Sequence, residues 1–236
     1  MTLVLLPVGR VRRCVLAATL VGLASCTTIL DSQADGDSPS GPGALPGAPS
    51  GDSVSAAGNV TFEQGSIQLF SSAETQTGVS FRPTQNHGNP DEYIVSLVGV
   101  PTASPPLNPV VAIDIIDTAQ RRACGLEISN DEFRLVSGDG VSTIGRYDLN
   151  SPSDEQAEHR IIMRLSKASS RCFVTIRQFA PNEFGSTLLE PVIEANASFT
   201  DTGFDILSSV QIVWESVQPD SPTYRYIIGP VTVTAR

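Results

Sequence analysis

Histidine and cysteine are the residue types in this 236-residue chain that most often do chemistry, and there are two histidines and four cysteines. Nucleophilic catalysis needs a base beside the nucleophile and a third group that orients the base. His159 closely follows Asp154, Glu155 and Glu158, whereas His87 lies in a Gly/Pro turn. No Gly-x-Ser-x-Gly motif is present, and Lys167 has no serine three residues before it. A nucleophilic hydrolase would therefore have to be built on His159.

Paired carboxylates are the second chemistry to consider, because glycoside hydrolysis uses two acids about 5 to 9.5 Å apart. Asp114 and Asp117 are the one such pair within an apolar segment. Side chains of a strand alternate between its two faces, so a spacing of three puts these acids on opposite faces. The sequence predicts Asp114 on the solvated face and Asp117 at the strand end, which is not a catalytic arrangement.

Metal ligation has little support in the sequence. A transition-metal site would need clustered histidines and cysteines, and no such cluster is present. The acidic pairs Asp91-Glu92, Asp131-Glu132 and Asp154-Glu155 are interpreted as solvated turn residues, with a calcium site as the alternative left open. No metal and no cofactor are expected.

The N-terminal segment has the pattern of a secretory signal. Three arginines precede an apolar run from Cys14 to Leu23, and Ala24 and Ser25 stand before Cys26. The run is too short for a spanning helix and fits a signal peptide. The sequence Leu23-Ala24-Ser25-Cys26 resembles the lipobox of bacterial lipoprotein precursors. The resemblance implies a signal peptide over residues 1–25 and an acylated, palmitate-bearing Cys26. Thr27 after the cysteine, by the same resemblance, favours the outer membrane of the cell envelope.

The four cysteines then fall into separate roles. Cys14 leaves with the signal and Cys26 is lipidated, so Cys124 and Cys172 remain as an even pair in an oxidising compartment. In each strand the cysteine shares one face with apolar residues two and four positions later, so both thiols should point inward. The sequence predicts a disulfide with the Cα atoms about 4.4 to 6.8 Å apart.

Charge limits the class of partner. The full chain has 15 basic and 25 acidic residues, a net charge of −10, and loss of Arg10, Arg12 and Arg13 with the signal leaves 12 basic residues and a net charge of −13. Nucleic-acid binding relies on Lys and Arg that neutralise phosphates, so no nucleic acid is expected. Membrane attachment is expected through the lipid anchor.

Residues 26–58 combine the lipidated cysteine with a Ser/Gly/Pro/Asp-rich stretch that has few large apolar side chains after Leu30. Such a stretch buries too little surface to offset its ordering entropy. We therefore expect a disordered linker over 26–58, able to hold the domain on the order of 30 Å from the membrane. Residues 59–236 are predicted to fold as one domain.

The domain is predicted to be all-β, because short β-branched runs recur between Pro/Gly turns and no helical period is sustained. Asn130-Asp131 and Gly138-Asp139-Gly140 predict an antiparallel meander over Ala123 to Leu149, and Lys167 to Ser170 predicts a further hairpin. The fold expected is an antiparallel β-sandwich, jelly-roll or immunoglobulin-like. The twelve predicted strands are 66–70, 77–82, 92–100, 110–117, 123–128, 132–137, 141–149, 159–166, 171–179, 188–200, 206–215 and 223–234.

Two functions from different classes fit these features. The first is a membrane-anchored, non-enzymatic lipoprotein that displays a β-sandwich for binding, adhesion or envelope assembly, with an envelope protein or a glycan as partner. The second is a periplasmic or cell-surface hydrolase of polysaccharide that uses His159 or carboxylates. A small-ligand carrier with an apolar cavity is a further alternative. Trp214, the one tryptophan, is interpreted as a core residue because it shares a strand face with Val210 and Ile212.

Overall fold

The structure, a computed structural model, describes residues 27–31, 53–63, 66–70, 77–83, 87–102, 111–129, 132–137, 140–146, 158–182, 185–199, 204, 206–214 and 225–236. These residues form strands joined by turns, and no helix occurs among them. The strands are β1 (Thr27–Asp31), β2 (Ser53–Ala57), β3 (Val60–Glu63), β4 (Ser66–Phe70), β5 (Thr77–Arg82), β6 (Glu92–Thr102), β7 (Val111–Asp117), β8 (Arg122–Ile128), β9 (Glu132–Ser137), β10 (Gly140–Arg146), β11 (Glu158–Ser166), β12 (Arg171–Asn182), β13 (Gly185–Ser198), β14 (Leu207–Trp214) and β15 (Arg225–Ala235).

Two antiparallel sheets make a sandwich. Sheet A has the order β13-β12-β11-β6-β15-β4-β3, with β1 pairing with β15 beside β4, and sheet B has the order β10-β9-β8-β7-β14-β5-β2. This confirms the predicted all-β antiparallel sandwich. The described residues form fifteen strands, more than the about seven to nine of an immunoglobulin domain, so the immunoglobulin-like alternative does not fit.

The inner faces of the two sheets form one core. Along β11 the burial alternates so that Ile161, Met163 and Leu165 are buried while the residues between them face solvent. This period of two follows from the pleat of a strand. Large side chains from both sheets meet inside, among them Tyr93 and Tyr226 from sheet A and Phe81 and Phe133 from sheet B. Trp214 is also buried, as the sequence predicts.

The predicted meander and hairpin are both present. Strands β7, β8, β9 and β10 follow one another as antiparallel neighbours in sheet B. The turn from Lys167 to Ser170 joins β11 to β12, with the Ser170 N–H donating to the Lys167 carbonyl at 3.1 Å and Ser170 at φ 50°. Gly140, at φ 121°, begins β10 in a conformation that favours glycine. The turn residues 130–131 and 138–139 lie outside the described residues.

The linker prediction is wrong over residues 27–31 and 53–58. Strand β1 pairs with β15, and its Ile29 and Leu30 are 1% and 0% exposed in the core. Strand β2 pairs with β5 and buries Val54. The physical reason lies in one edge of β15. Strand β4 pairs with only the Arg225–Ile228 part of this edge, and β1 pairs with the part that remains. The domain thus begins before residue 59, and residues 32–52 lie outside the described part.

The predicted disulfide is confirmed. Cys124 of β8 and Cys172 of β12 are bonded, with their Cα atoms 6.1 Å apart and a sequence separation of 48. Because β8 belongs to sheet B and β12 to sheet A, the bond links the two layers of the sandwich. Both cysteines are fully buried, as the strand parity predicts.

Among the described residues no helix has the length and apolar character needed to cross a membrane.

Candidate functional site

His159 lies in the core and not in a cleft. It sits at the start of β11, is fully buried, and contacts the edge of Phe133 on the opposite sheet with ring centroids 5.2 Å apart. Burial lowers the pKa of the His159 imidazole from 6.5 to about 4, because desolvation disfavours the charged form. A side chain enclosed between two sheets has no access to a substrate. Of the three acids predicted as its partners, those at 154 and 155 lie outside the described residues, and Glu158 instead pairs with Arg160.

Asp117 is part of a structural turn between β7 and β8. Its side chain is fully buried, and its carboxylate accepts hydrogen bonds from the backbone N–H of Arg121 at 2.8 Å and from Arg121 Nε at 2.8 Å. Burial by itself would raise the pKa of the Asp117 carboxyl, but the hydrogen bonds and the positive charge of Arg121 outweigh this effect and lower that pKa. The ionised carboxylate therefore closes the turn.

Asp114 faces the other side of β7, as the sequence predicts. It is partly exposed, and its carboxylate lies 3.4 Å from Nη1 of Arg122. Asp117 points into the sandwich, so the two carboxylates do not share a cleft and cannot act as an acid and base pair. Glu92 forms ion pairs with Arg164 and Arg236.

The remaining candidate sites of the sequence do not form a metal centre in the described part of the chain. There, no three His, Cys, Asp or Glu side chains come together in a group that could hold a metal ion. The lipidation residue, Cys26, and the acid at 131 lie outside the described residues. His87 is partly exposed and contacts the edge of Tyr93 at 5.7 Å between centroids.

The feature that sequence reasoning missed is on the outer face of sheet A. On β11, Arg160 and Arg164 point outward, and each guanidinium lies over a phenylalanine ring of the neighbouring strand β12. Arg160 stands 4.1 Å from the centroid of Phe179, and Arg164 stands 4.2 Å from that of Phe173. Such cation–π contacts hold the guanidinium flat against the ring. We call this surface of β11, β12 and β13 the Arg–Phe face.

A shallow groove of about 530 Å³ lies on the Arg–Phe face. Its apolar floor is provided by Phe173 and by Ile162, which is 42% exposed. Its polar groups come from Arg164, Thr175, Glu194 and Asn196. The groove therefore combines an aromatic floor with hydrogen-bond donors and acceptors around it.

Neighbouring contacts orient these polar groups. Arg171 donates from Nη1 to Oδ1 of Asn196 at 2.8 Å, and Arg164 Nε lies 3.5 Å from a Glu92 oxygen. The pairing of β12 with β13 sets Phe173 opposite Asn196 and Thr175 opposite Glu194. Because these residues stand on paired strands rather than on loops, their spacing is fixed by the sheet.

The described charges of the Arg–Phe face are four arginines and two glutamates. Arg160, Arg164, Arg171 and Arg177 lie at outward positions of β11 and β12, and Glu158 and Glu194 lie at outward positions of β11 and β13. Glu158 is ion-paired with Arg160 at 2.5 Å. The described part of the face is thus net positive, whereas the whole chain has a net charge of −10. The residues of this face could have been found in the sequence. In the predicted strands 159–166 and 171–179 they are the positions that alternate with the apolar residues predicted for the core.

Sheet B also carries a small hollow on its outer face. It measures about 200 Å³ and lies over β2, β5 and β14, where it is lined by Ser55, Ala57, Ser80, Gln211 and Val213. No charged or aromatic side chain lines it. It offers fewer means of recognition than the Arg–Phe face.

No protein-family model matches the chain, and no curated protein matches it. Solved structures are similar in fold. The CBM2 module of the evolved Dit protein from Lactobacillus casei BL23 phage J-1 superposes with a TM-score of 0.58 at 7% identity, covering 89% of this chain and 96% of that one.

Two further structures show the same architecture. Arcelin-5, a lectin-like defense protein from Phaseolus vulgaris, gives a TM-score of 0.55 at 7% identity, covering 90% of this chain and 99% of that one. Botulinum neurotoxin type C, whose cell entry depends on interaction with two ganglioside molecules, gives 0.52 at 12% identity over 78% of this chain, which spans 43% of that neurotoxin chain. At these identities the comparisons show the fold alone, an antiparallel β-sandwich.

Proposed function

We propose that the protein is an exported lipoprotein that binds glycans through the Arg–Phe face of its β-sandwich. The observation that carries this proposal is the pair of stacked Arg and Phe side chains beside a groove with both polar and apolar walls. Sugars present both C–H surfaces and hydroxyl groups, so they are bound by aromatic rings together with fixed donors and acceptors. The Arg–Phe face supplies both.

The spacing of the two stacks suits an extended ligand. Phe173 and Phe179 are six residues apart on β12, which corresponds to about 20 Å along a strand. That length fits several sugar units rather than one. The arginines around the rings favour a glycan that carries carboxylate, phosphate or sulfate groups, since guanidinium groups bind such anions well.

The fold comparisons support this proposal without identifying the ligand. Arcelin-5 is lectin-like, and botulinum neurotoxin type C interacts with gangliosides. Both use an architecture to which this chain is similar. A binding role is also favoured over the hydrolase alternative by two positions: His159 is enclosed in the core, and the buried carboxylate of Asp117 is held by Arg121 in a turn.

The membrane anchor in this proposal rests on the sequence. The basic start, the apolar run and Leu23-Ala24-Ser25-Cys26 support lipidation at Cys26 and attachment to the cell envelope, with the outer membrane favoured by Thr27. Metabolic labelling with a palmitate analogue should tag the wild-type protein and should not tag Cys26→Ser. Labelling that survives this substitution would contradict the anchor.

A glycan array tests the binding role, with the lipidated protein displayed in nanodiscs. We expect binding to acidic oligosaccharides in preference to neutral ones. Phe173→Ser and Arg164→Gln should each weaken the selected ligand about tenfold, the equivalent of about 1.4 kcal/mol. Recovery of the ligand uncut is expected, whereas shortened products would favour the polysaccharide hydrolase.

Arg122→Gln is the matched control for Arg164→Gln. Each arginine is about 40% exposed and lies within 3.5 Å of a carboxylate, but Arg122 stands on β8 of sheet B. Its loss should leave glycan binding unchanged. Equal weakening by both substitutions, or no binding to any glycan, would overturn the assignment of the Arg–Phe face.

A further inference from the structure

Strand β1 starts at one end of the sandwich. The residue pairs of sheet A show which other strands start or finish at the same end. Thr27 pairs with Ala235, which also pairs with Tyr93, and Glu92 pairs with Ser166. Further along the same end, Ser166 pairs with Arg171, and Arg171 pairs with Ser198. We call this the anchor end. It comprises the first residue of β1, the starts of β6 and β12, and the last residues of β11, β13 and β15.

Sheet B ends at the same place. The N–H of Leu207, the first residue of β14, donates to the hydroxyl of Tyr93 at 3.2 Å, and Leu207 pairs with Asp117 at the end of β7. The disulfide between Cys124 and Cys172 lies beside the turns that begin β8 and β12. The anchor end is thus a single surface made by both sheets.

The distance from the anchor to this surface is fixed by covalent geometry. Cys26 directly precedes Thr27, and consecutive Cα atoms are about 3.8 Å apart. Strand β1 is held by its pairing with β15 and by the buried side chains of Ile29 and Leu30. An acylated Cys26 therefore has no free chain between the lipid and the sheet.

Charge does not select the anchor end for a membrane. Its described basic residues are Arg82, Arg121, Arg122, Lys167, Arg171 and Arg236, and its described acids are Asp91, Glu92, Asp114 and Asp117. Three of these acids are paired with Arg121, Arg122 and Arg236. In the sequence, the connections between strands at this end add Asp52, Asp139, Asp201 and Asp205 and no Lys or Arg. Attachment here therefore depends on the acyl chains and on the position of β1.

We infer that the anchor end rests directly on the lipid headgroups, so that the domain stands on the bilayer with its strands directed away from it. This inference rests on the proposed lipidation of Cys26. It replaces the expected linker over residues 26–58, since residues 32–52 connect β1 to β2 and do not separate the anchor from the sheets. The partner of the anchor end is the phospholipid surface into which the acyl chains of Cys26 insert.

The orientation also positions the Arg–Phe face. Its strands β11 and β12 start or end at the anchor end, so the face stands upright beside the membrane. The stack of Arg164 on Phe173 lies closer to the headgroups, and the stack of Arg160 on Phe179 lies further away by about 14 Å along β11 and about 20 Å along β12. A glycan bound here would extend away from the bilayer surface.

Fluorescence quenching in vesicles tests the orientation on the full lipidated protein. A fluorophore is attached at Ser169→Cys, exposed in the β11–β12 turn at the anchor end, or at Leu188→Cys, 37% exposed and opposite Phe179 at the other end. The vesicles contain phosphatidylcholine and phosphatidylglycerol, with nitroxide groups on some headgroups. We expect loss of most emission at position 169 and little loss at position 188.

A matched variant carries a flexible Gly/Ser segment of about 20 residues between Cys26 and Thr27, which has an end-to-end distance of about 25 Å. It keeps the anchor and the sandwich and should restore emission at position 169. Equal emission at both positions without the insert, or quenching at both, would overturn the upright orientation. If the protein did not sediment with the vesicles, the lipid anchor would be absent and the upright orientation would be overturned with it. Glycan binding in solution would be unaffected by that result.

Discussion

The imidazole of His159 on sheet A meets the ring of Phe133 on sheet B in the interior of the sandwich, with an interplanar angle of 75°. The histidine that the sequence offered as a candidate base thus packs between the two layers of the sandwich. Its neutral form is the one that the core accepts, because burial lowers its pKa to about 4. This relationship makes the stability of the sandwich dependent on pH.

We expect the free energy of unfolding to fall as the pH drops from about 6.5 to about 4. In this window the unfolded chain binds a proton at His159 and the folded chain does not, so acid favours unfolding. The full effect is about 3 kcal/mol, since each pKa unit corresponds to about 1.4 kcal/mol. Urea denaturation at several pH values measures it.

His159→Phe is the control for this pH dependence, because it keeps an aromatic ring against Phe133 and removes the titration. In the variant the free energy of unfolding should no longer fall between about pH 6.5 and pH 4. It should still fall at lower pH, where carboxylates such as Asp117 become protonated. An unchanged slope in the variant would show that another group causes the dependence.

Strand β1 is expected to be required for full stability. Leu30 is fully buried, and replacement of a buried leucine by alanine costs about 2 to 5 kcal/mol. Leu30→Ala should lower the free energy of unfolding by that amount in chemical denaturation. Thr28→Ala, at an exposed position of the same strand, should change it by less than about 0.5 kcal/mol. Similar values for the two variants would contradict the docking of β1.

The disulfide between Cys124 and Cys172 should also contribute strongly. The bond joins positions 48 residues apart, and the chain-entropy model gives about 4 kcal/mol for a loop of this length. Reduction should therefore lower the melting temperature by several degrees in calorimetry. The double variant Cys124→Ala/Cys172→Ala should melt at a similar temperature and be insensitive to reductant. A melting temperature that does not respond to reductant in the wild type would be inconsistent with this contribution.

Much of the fold follows from local sequence patterns. The predicted bounds of β4, β5 and β9 coincide with those observed, because each has apolar residues at alternate positions between turn signals. The disulfide followed from the same alternation, since parity fixed the direction in which both cysteines point. These are short-range properties that a strand has regardless of its neighbours.

Strands β1, β2 and β3 were missed because their local signals are weak. Ser53–Ala57 contains mostly serine and alanine, and Thr27–Asp31 has only two large apolar residues. Such segments become strands when an adjacent edge offers backbone hydrogen bonds and a core pocket. The edges of β5 and β15 do so here, but their positions depend on residues far away in the chain.

The sequence by itself determined the β class, the strand spacing, the cysteine pair and the separation of Asp114 from Asp117 onto opposite faces. Only the tertiary structure decided that His159 is buried against Phe133, that the arginines of β11 stack on the phenylalanines of β12, and that β1 closes the edge of β15. The reason is physical. Alternation along one strand is fixed by local backbone geometry, whereas the partner of each strand is chosen by packing between segments distant in sequence.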